Sequence, residues 1–214
     1  MAPLAAPIDV LYQDAHLLAA NKPPGLLSVP GRGPENQDCL INRLLDSFPD
    51  CRTVHRLDMA TSGIVLLARN LDSLRSLSRQ FEQRKVEKEY VAVTEGVLAN
   101  DEGEVSLPLI CDWPNRPRQK VCHIEGKTAL TRYKVMQRDA VSNCTRVLLM
   151  PVTGRSHQLR VHMMAMGHSI LGDEFYAQGD ARSASSRLLL HASRIRFTHP
   201  ITGDAITLES APEF

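Results

Sequence analysis

The segment His55–Gly63 holds the side chains best suited to chemistry. Its nine residues contain a histidine, an arginine, a carboxylate and two hydroxyls, and they precede an apolar run of the length of a buried strand. Loops on a rigid scaffold often carry catalytic groups. Asp58, the single carboxylate of the segment, is therefore our candidate catalytic residue. The structural alternative is a turn in which Asp58 accepts hydrogen bonds from main-chain amides.

A second polar segment, Thr153–His162, runs from the predicted end of a strand into a predicted helix. The N–H groups at the start of a helix, together with Arg155, suit an anion such as phosphate. His157 and His162 lie about 140° apart around the helix, so they do not converge on a metal. A capped amphipathic helix is the structural alternative. It leaves Arg160 without a role, because a cation directed at the core usually has a carboxylate partner.

Two further segments each have a functional and a structural interpretation. Tyr90 lies where alternating charges lead into an apolar strand, so it could serve the site or pack in the core. Residues 112–120 contain the only tryptophan of the chain and three cations, Arg116, Arg118 and Lys120. Such a stretch is typical of a proline-stiffened hairpin loop or of a basic, aromatic arm that grips a phosphate backbone.

The composition excludes several classes of protein. Apolar residues make up 43% of the 214 residues, enough to bury a core. The net charge is +1, so any polyanion site must come from local clustering of cations. Five scattered cysteines without a CxxC pair are interpreted as reduced core thiols. We expect a soluble cytoplasmic protein without metal, cofactor or membrane span, and a monomer by default.

The hydrophobic pattern predicts more strands than helices. Strands are expected at residues 64–68, 90–94, 105–110, 129–136, 146–150, 188–197 and 205–208, and two more within residues 8–20. Helices are expected around Leu40 and Leu44, after an N-cap at Asn70, and over residues 156–166 before Gly167. The strands do not alternate with helices, which favours an α+β fold on a mainly antiparallel or mixed sheet. Residues 1–214 are expected to form a single domain.

Together these segments resemble the RluA family of pseudouridine synthases. The HRLD signature of the family corresponds to residues 55–58 and continues as Thr61-Ser62-Gly63. The tyrosine motif corresponds to residues 88–90 and the third motif to residues 154–162, in the family's order. The resemblance, from about Leu11 to the C-terminus, implies the pseudouridine synthase fold, with helices flanking the sheet and loops that grip RNA. Few residues precede the first predicted strand, so the S4 RNA-binding domain of many relatives is expected to be absent.

The resemblance also implies a role for each motif. Asp58 is the single catalytic carboxylate, Arg56 enters the space that the target base leaves, and Tyr90 stacks on the flipped uracil. Arg160 pairs with Asp58 and keeps it ionised in a pocket where burial alone favours protonation. Further RNA contacts are expected from His55, Thr61, Arg116, Arg118, Lys120, Arg155 and His157.

The expected RNA partners are hairpin loops. Residues 107–117 resemble the family members that modify the tRNA anticodon stem-loop and a hairpin of 23S rRNA. The sequence leaves open whether Asp58 attacks C1′, adds to C6 of the uracil or removes a proton from the sugar. The alternatives are a non-catalytic RNA-binding or RNA-chaperone protein on the same fold, and a hydrolase with Asp58 as nucleophile. The hydrolase is disfavoured, because no second acid or base and no metal ligands accompany Asp58.

Overall fold

Strands form most of the regular structure. The structure, a computed structural model, describes residues 7–214. Within these residues the strands are β1 (Asp9–Gln13), β2 (Leu17–Lys22), β3 (Arg52–Thr53), β4 (Ser62–Ala68), β5 (Glu87–Glu95), β6 (Glu102–Ser106), β7 (Leu109–Cys111), β8 (Gln119–Val121), β9 (Leu130–Asp139), β10 (Cys144–Pro151), β11 (Leu190–Thr198) and β12 (Ala205–Glu209). The α-helices are α1 (Leu40–Leu45), α2 (Leu71–Glu82), α3 (Gln158–Ala165) and α4 (Gly179–Ser183).

The first of two compact units comprises the described residues up to Val86 together with Arg194–Ala211. Its strand order is β1-β2-β4-β11, with β3 beside β4 and β12 beside β11. All seven residues of β4 are buried, as its continuous apolar sequence predicts. The helix α2 begins at the predicted cap, where Asn70 Oδ1 accepts a hydrogen bond from Ser73 N–H at 2.9 Å. Leu77 of α2 joins the core of this unit.

The second compact unit comprises Glu87–Ser193 and Pro212–Phe214. Its antiparallel strands follow in the order β5-β10-β9-β6, and β7 and β8 form a separate small hairpin. The helix α3 packs against β8, β9 and β10 and contributes Val161 to an apolar cluster with Leu109 and Tyr176. The apolar side chains of α3 thus anchor the third motif on the sheet.

The predicted α+β fold with a largely antiparallel sheet is confirmed. Several element boundaries differ by a few residues, and the strand predicted over residues 105–110 is divided into β6 and β7. Pro108 lies in the gap and has no N–H to donate to a neighbouring strand. The expected single domain stays a prediction beside the two compact units. None of the helices in residues 7–214 has the length and apolarity needed to cross a membrane.

Candidate active site

Ser28 fixes the main chain just before Asp58. The Ser28 hydroxyl donates a hydrogen bond to Leu57 O at 2.8 Å and accepts one from Leu57 N–H at 3.1 Å. The Leu57 side chain is also buried. One hydroxyl thus satisfies both main-chain groups of Leu57. The main chain directly before Asp58 is therefore held in a fixed position.

Lys22 fixes the main chain just after Asp58. Its side chain is fully buried at the end of β2. Its ammonium donates hydrogen bonds to three carbonyl oxygens, those of Pro23 (2.9 Å), Leu26 (2.7 Å) and Met59 (3.0 Å). The Gly25 N–H also donates to Met59 O, at 2.9 Å. Since a buried ammonium is stable only with such acceptors, Lys22 and the loop that follows Asp58 hold each other in place.

Asp58 begins a tight turn between these two fixed points. The turn is closed by a hydrogen bond from Thr61 N–H to the main-chain oxygen of Asp58 at 3.1 Å. The closing bond therefore does not require the carboxylate. The Asp58 side chain is half-buried and Arg56 is exposed. Gly63, at the start of β4, has a φ of 110°, a conformation that other residues adopt with strain.

His55 and Thr61 belong to the framework around this turn. His55 Nε2 accepts a hydrogen bond from Leu66 N–H at 3.0 Å, and its ring stacks on Phe81 with 4.5 Å between the ring centroids. Thr61 is only 2% exposed. These positions give both residues a structural role beside Asp58. Their direct contacts with RNA stay predictions.

Arg160 forms a buried, bidentate ion pair with Asp173. Nε donates to Oδ2 at 2.7 Å and Nη2 donates to Oδ1 at 2.6 Å, and the side chains are 3% and 0% exposed. Asp173 Oδ1 also accepts hydrogen bonds from the main-chain N–H groups of Phe175 (2.9 Å) and Tyr176 (3.2 Å). Arg160 thus has the carboxylate partner that its position on a core-directed helix predicts, although sequence analysis did not identify Asp173. The pairing of Arg160 with Asp58 stays a prediction.

Two aromatic rings complete the surroundings of Arg160. The guanidinium carbon lies 5.1 Å from the centroid of the Phe175 ring and 5.2 Å from that of Tyr176. His157, which has a φ of 53°, stacks on Phe175 and contacts the Tyr176 hydroxyl through Nδ1 at 2.7 Å. Phe175 and Tyr176 were missed from the sequence. Their aromatic pair, directly after an acidic residue, was the available signal.

Gln158 fixes the start of α3. Its Oε1 accepts hydrogen bonds from the Thr153 hydroxyl at 2.7 Å and from Arg155 N–H at 3.0 Å. Its Nε2 donates to Leu130 O at 3.0 Å on β9. The Arg155 side chain donates to Thr128 O at 3.2 Å. Gln158 therefore fixes the segment before the helix without a side-chain cap on its first turn, and the phosphate contact of Arg155 stays a prediction.

Both ring nitrogens of His162 contact groups of the protein. Its Nδ1 lies 2.9 Å from Thr131 Oγ1, and Nε2 lies 3.0 Å from Leu107 O. Burial lowers the pKa of His162, and the hydrogen bond to Leu107 O offsets part of that change. Among residues 7–214, no three His, Cys, Asp or Glu side chains are grouped as a metal site requires.

Tyr90 lies in β5, where it is half-buried and paired across the sheet with Leu149 of β10. Strand geometry puts Lys88 and Tyr90 on one face of β5, because alternate side chains share a face. The tyrosine motif and the third motif lie in the same compact unit, whereas Asp58 belongs to the other.

The basic loop, residues 112–120, is a folded element with its own contacts. Lys120 Nζ pairs with Asp112 Oδ1 at 3.1 Å, and the Arg116 guanidinium lies 4.6 Å from the Trp113 ring. The Trp113 side chain is 65% exposed. Arg118 lies over Phe175 at 5.7 Å, and Gln119 N–H donates to the Tyr176 hydroxyl at 2.8 Å. The same two aromatic residues therefore contact both the basic loop and Arg160.

Comparisons with known proteins identify the family of the chain. The pattern of the RNA pseudouridylate synthase family matches residues 16–165. The chain is 55% identical over 205 residues to the dual-specificity RNA pseudouridine synthase RluA of Yersinia pestis, over 96% of this chain and 99% of that one. It is 51% identical over 212 residues to the enzyme of the same name from Haemophilus influenzae, over 99% and 96% of the two chains.

Solved structures give the same result. The human RNA pseudouridylate synthase domain containing 1 matches with a TM-score of 0.83 and 28% identity, covering 100% of this chain and 87% of that chain. The human RNA pseudouridylate synthase domain containing 4 matches with a TM-score of 0.76 and 26% identity, covering 96% and 89%.

Proposed function

We propose an RNA target and a role for each site residue from one premise: this chain belongs to the RNA pseudouridylate synthase family. It is an isomerase that converts uridine to pseudouridine in RNA. This membership disfavours both the non-catalytic RNA-binding protein and the hydrolase.

Its targets are uridine 32 of the tRNA anticodon stem-loop and uridine 746 of a 23S rRNA hairpin. The dual-specificity names of its relatives and the resemblance of residues 107–117 support this choice. Acting on these RNAs places the enzyme in the cytoplasm. It works as a monomer without metal or cofactor.

Asp58 is the catalytic carboxylate. The reaction breaks the C1′–N1 bond, turns the uracil and joins C5 to C1′, and the C5 proton then leaves. One carboxylate anion serves each of the three routes: attack at C1′, addition at C6, or removal of a sugar proton. The observation that carries this assignment is the double anchoring of the Asp58 turn by Ser28 and Lys22, since catalysis requires a fixed position for the reacting group.

Three further side chains support the reaction at the flipped nucleotide. Arg56, exposed beside Asp58, fills the space that the uridine leaves, and its planar cation can stack and donate hydrogen bonds at once. Tyr90 stacks on the uracil, a contact worth about 1–3 kcal/mol. Arg160 keeps Asp58 ionised, because a neighbouring guanidinium favours the charged form of a carboxylate.

The basic loop and the start of α3 bind the RNA backbone. Arg116 and Arg118 are the main contacts, with Lys120, Arg155 and His157 as additional donors and His55 and Thr61 beside Asp58. The exposure of Trp113 and the stacking of Arg116 on it support this assignment. Hairpin RNA is recognised largely through its shape and splayed bases, which such a loop can follow.

The test of this function is the substitution Asp58→Asn, which keeps the shape of the side chain and removes its charge. We expect no tritium release from stem-loop RNA labelled with C5-tritiated uridine, and a Kd for the RNA within a few-fold of the wild-type value. Asp46→Asn, which removes the same charge from an exposed position at the end of α1, is the matched control and should keep full activity. Turnover by Asp58→Asn would refute the assignment.

A further inference from the structure

Lys88 is a half-buried cation for which the described part of the chain supplies no acceptor. It precedes Tyr90 by two residues in β5 and shares its face of the strand. Within residues 7–214 its ammonium forms no hydrogen bond and no ion pair. Burial lowers the pKa of Lys88, and no neighbouring carboxylate offsets that change.

Two buried cations of this chain, Lys22 and Arg160, have acceptors within the protein. The Lys22 ammonium donates to three carbonyl oxygens, and Arg160 is paired with Asp173 through two hydrogen bonds. A desolvated cation without such partners destabilises a folded protein. Lys88 differs from these two cations, because its partly desolvated ammonium lies near the tyrosine motif without an acceptor among residues 7–214 and is available to a ligand.

The main chain at Gly154 lies beside the Lys88 ammonium. A Cβ atom at Gly154 would be 3.8 Å from Lys88 Nζ, so the space on that side of the Gly154 main chain opens onto the ammonium. The Gly154 N–H also has no acceptor within the described residues. The flanking residues are held by Gln158, which accepts hydrogen bonds from Thr153 and Arg155. Two donors without acceptors among the described residues therefore lie in the same neighbourhood.

We propose that Lys88 and the Gly154 main chain bind a phosphate oxygen of the RNA, adjacent to the uridine that stacks on Tyr90. The proposal rests on the role proposed for Tyr90. A phosphodiester brings one negative charge and several acceptor oxygens, and every nucleotide of the substrate carries one. A lysine recognises phosphate as a point charge and needs no second planar group, so one ammonium with one amide is a sufficient donor set.

The proposal predicts opposite effects on folding and on binding. Lys88→Met removes an unsatisfied cation, so the unfolding temperature of the free protein should stay the same or rise. RNA binding should become weaker, because the phosphate loses its counter-charge. A lysine that served only the fold would instead lower the unfolding temperature when replaced.

The test is a titration of full-length Lys88→Met, Lys88→Arg and Lys134→Gln with a stem-loop RNA at several salt concentrations. We expect Lys88→Met to weaken binding about tenfold at low salt. The slope of log Kd against log salt concentration should decrease by about 0.7 to 0.9, the loss of one phosphate contact. Lys88→Arg should keep the slope. Lys134, an exposed lysine of β9 in the same unit, is the matched control and should change neither quantity.

An unchanged Kd and salt slope in Lys88→Met would overturn the proposal. A lowered unfolding temperature with an unchanged slope would do so as well, since it would make Lys88 structural. The RNA is one that the wild-type protein modifies, chosen beforehand by pseudouridine mapping. If the proposed RNA target is wrong, the mapping shows that the wild-type protein does not modify it. That failure is therefore distinguished from a negative result for Lys88.

Discussion

The guanidinium of Arg160 is fixed in its plane by three neighbours. Asp173 binds its Nε and Nη2, and the rings of Phe175 and Tyr176 lie close to its central carbon. A bidentate ion pair sets the orientation of the guanidinium group as well as its position. The direction of Nη1, the nitrogen that takes no part in the pair, is thereby set too. An arginine with one fixed orientation suits the task of keeping a catalytic carboxylate charged.

Replacement of Asp173 by Asn should therefore affect both folding and catalysis. The variant leaves the buried charge of Arg160 uncompensated, and the free energy of unfolding should fall by about 3–5 kcal/mol. Where the protein still folds, the single-turnover rate of pseudouridine formation should fall more than RNA affinity does. Urea unfolding and single-turnover assays at saturating enzyme measure the two effects.

The control for Asp173→Asn is Asp180→Asn, an exposed carboxylate in the first turn of α4. It should leave both quantities unchanged. A rate and a stability equal to the wild-type values in Asp173→Asn would show that Arg160 does not depend on this carboxylate for its position.

The basic loop and α3 are joined through Phe175 and Tyr176. Arg118 lies over Phe175, and the Gln119 N–H donates to the Tyr176 hydroxyl, which His157 also contacts. A loop supported in this way presents Arg116 and Trp113 from a defined position rather than as a flexible arm. The loop is thus held by the same two aromatic residues that contact Arg160, and the proposed RNA contact of the loop would lie near that arginine.

Trp113 offers a direct measurement of this contact. It is the only tryptophan of the chain, so its fluorescence reports on the basic loop alone. We expect the fluorescence of the inactive Asp58→Asn variant to change on titration with stem-loop RNA, with a midpoint equal to the Kd from filter binding. Arg116→Gln should weaken binding and lower the salt slope by about 0.7 to 0.9. Constant fluorescence at saturation would exclude the loop from the RNA interface.

The elements governed by local patterns could be predicted from the sequence. The apolar run of β4 is a fully buried strand, and Asn70 caps α2 as expected, because a strand core and an N-cap depend on neighbouring residues. Leu71 is 52% exposed although it follows the apolar spacing of α2. It is the first residue of the helix, where the packed face has not yet begun.

Contacts between distant elements could not be predicted in the same way. The partnership of Arg160 with Asp173 depends on the turn after α3, and the anchoring of Met59 by Lys22 joins residues 37 positions apart. Neither leaves a periodic signal in the sequence. The residue types of the motifs indicate the candidate site, whereas the residues that hold it in place required the tertiary structure.

The five cysteines are all free, and their environments differ. Cys39 and Cys51 are buried, as expected for core thiols, but Cys111, Cys122 and Cys144 are partly exposed. Burial raises the pKa of Cys51 to about 11. Main-chain hydrogen bonds from Glu125 and Ile124 lower the pKa of the Cys122 thiol. The interpretation of all five as core thiols was therefore too broad.

The environments of the cysteines predict the order in which their thiols are chemically modified in the folded protein. Iodoacetamide at about pH 8 should modify Cys122 first, because only the thiolate reacts. Cys51 should react only after unfolding. Mass spectrometry of the labelled peptides measures the order, with Cys122→Ser as the control. The unfolding temperature should be the same with and without a reducing agent, and early modification of Cys51 would contradict the folded environment described above.

The anchoring of the Asp58 turn by Ser28 and Lys22 has a consequence for the thermodynamics of RNA binding. The conformational entropy of this turn is lost during folding, so none of it has to be lost again when RNA arrives. The remaining entropic costs of association include the ordering of the RNA and of exposed side chains such as Arg56. A preorganised main chain of this kind would keep the Asp58 carboxylate in the position that its proposed role requires.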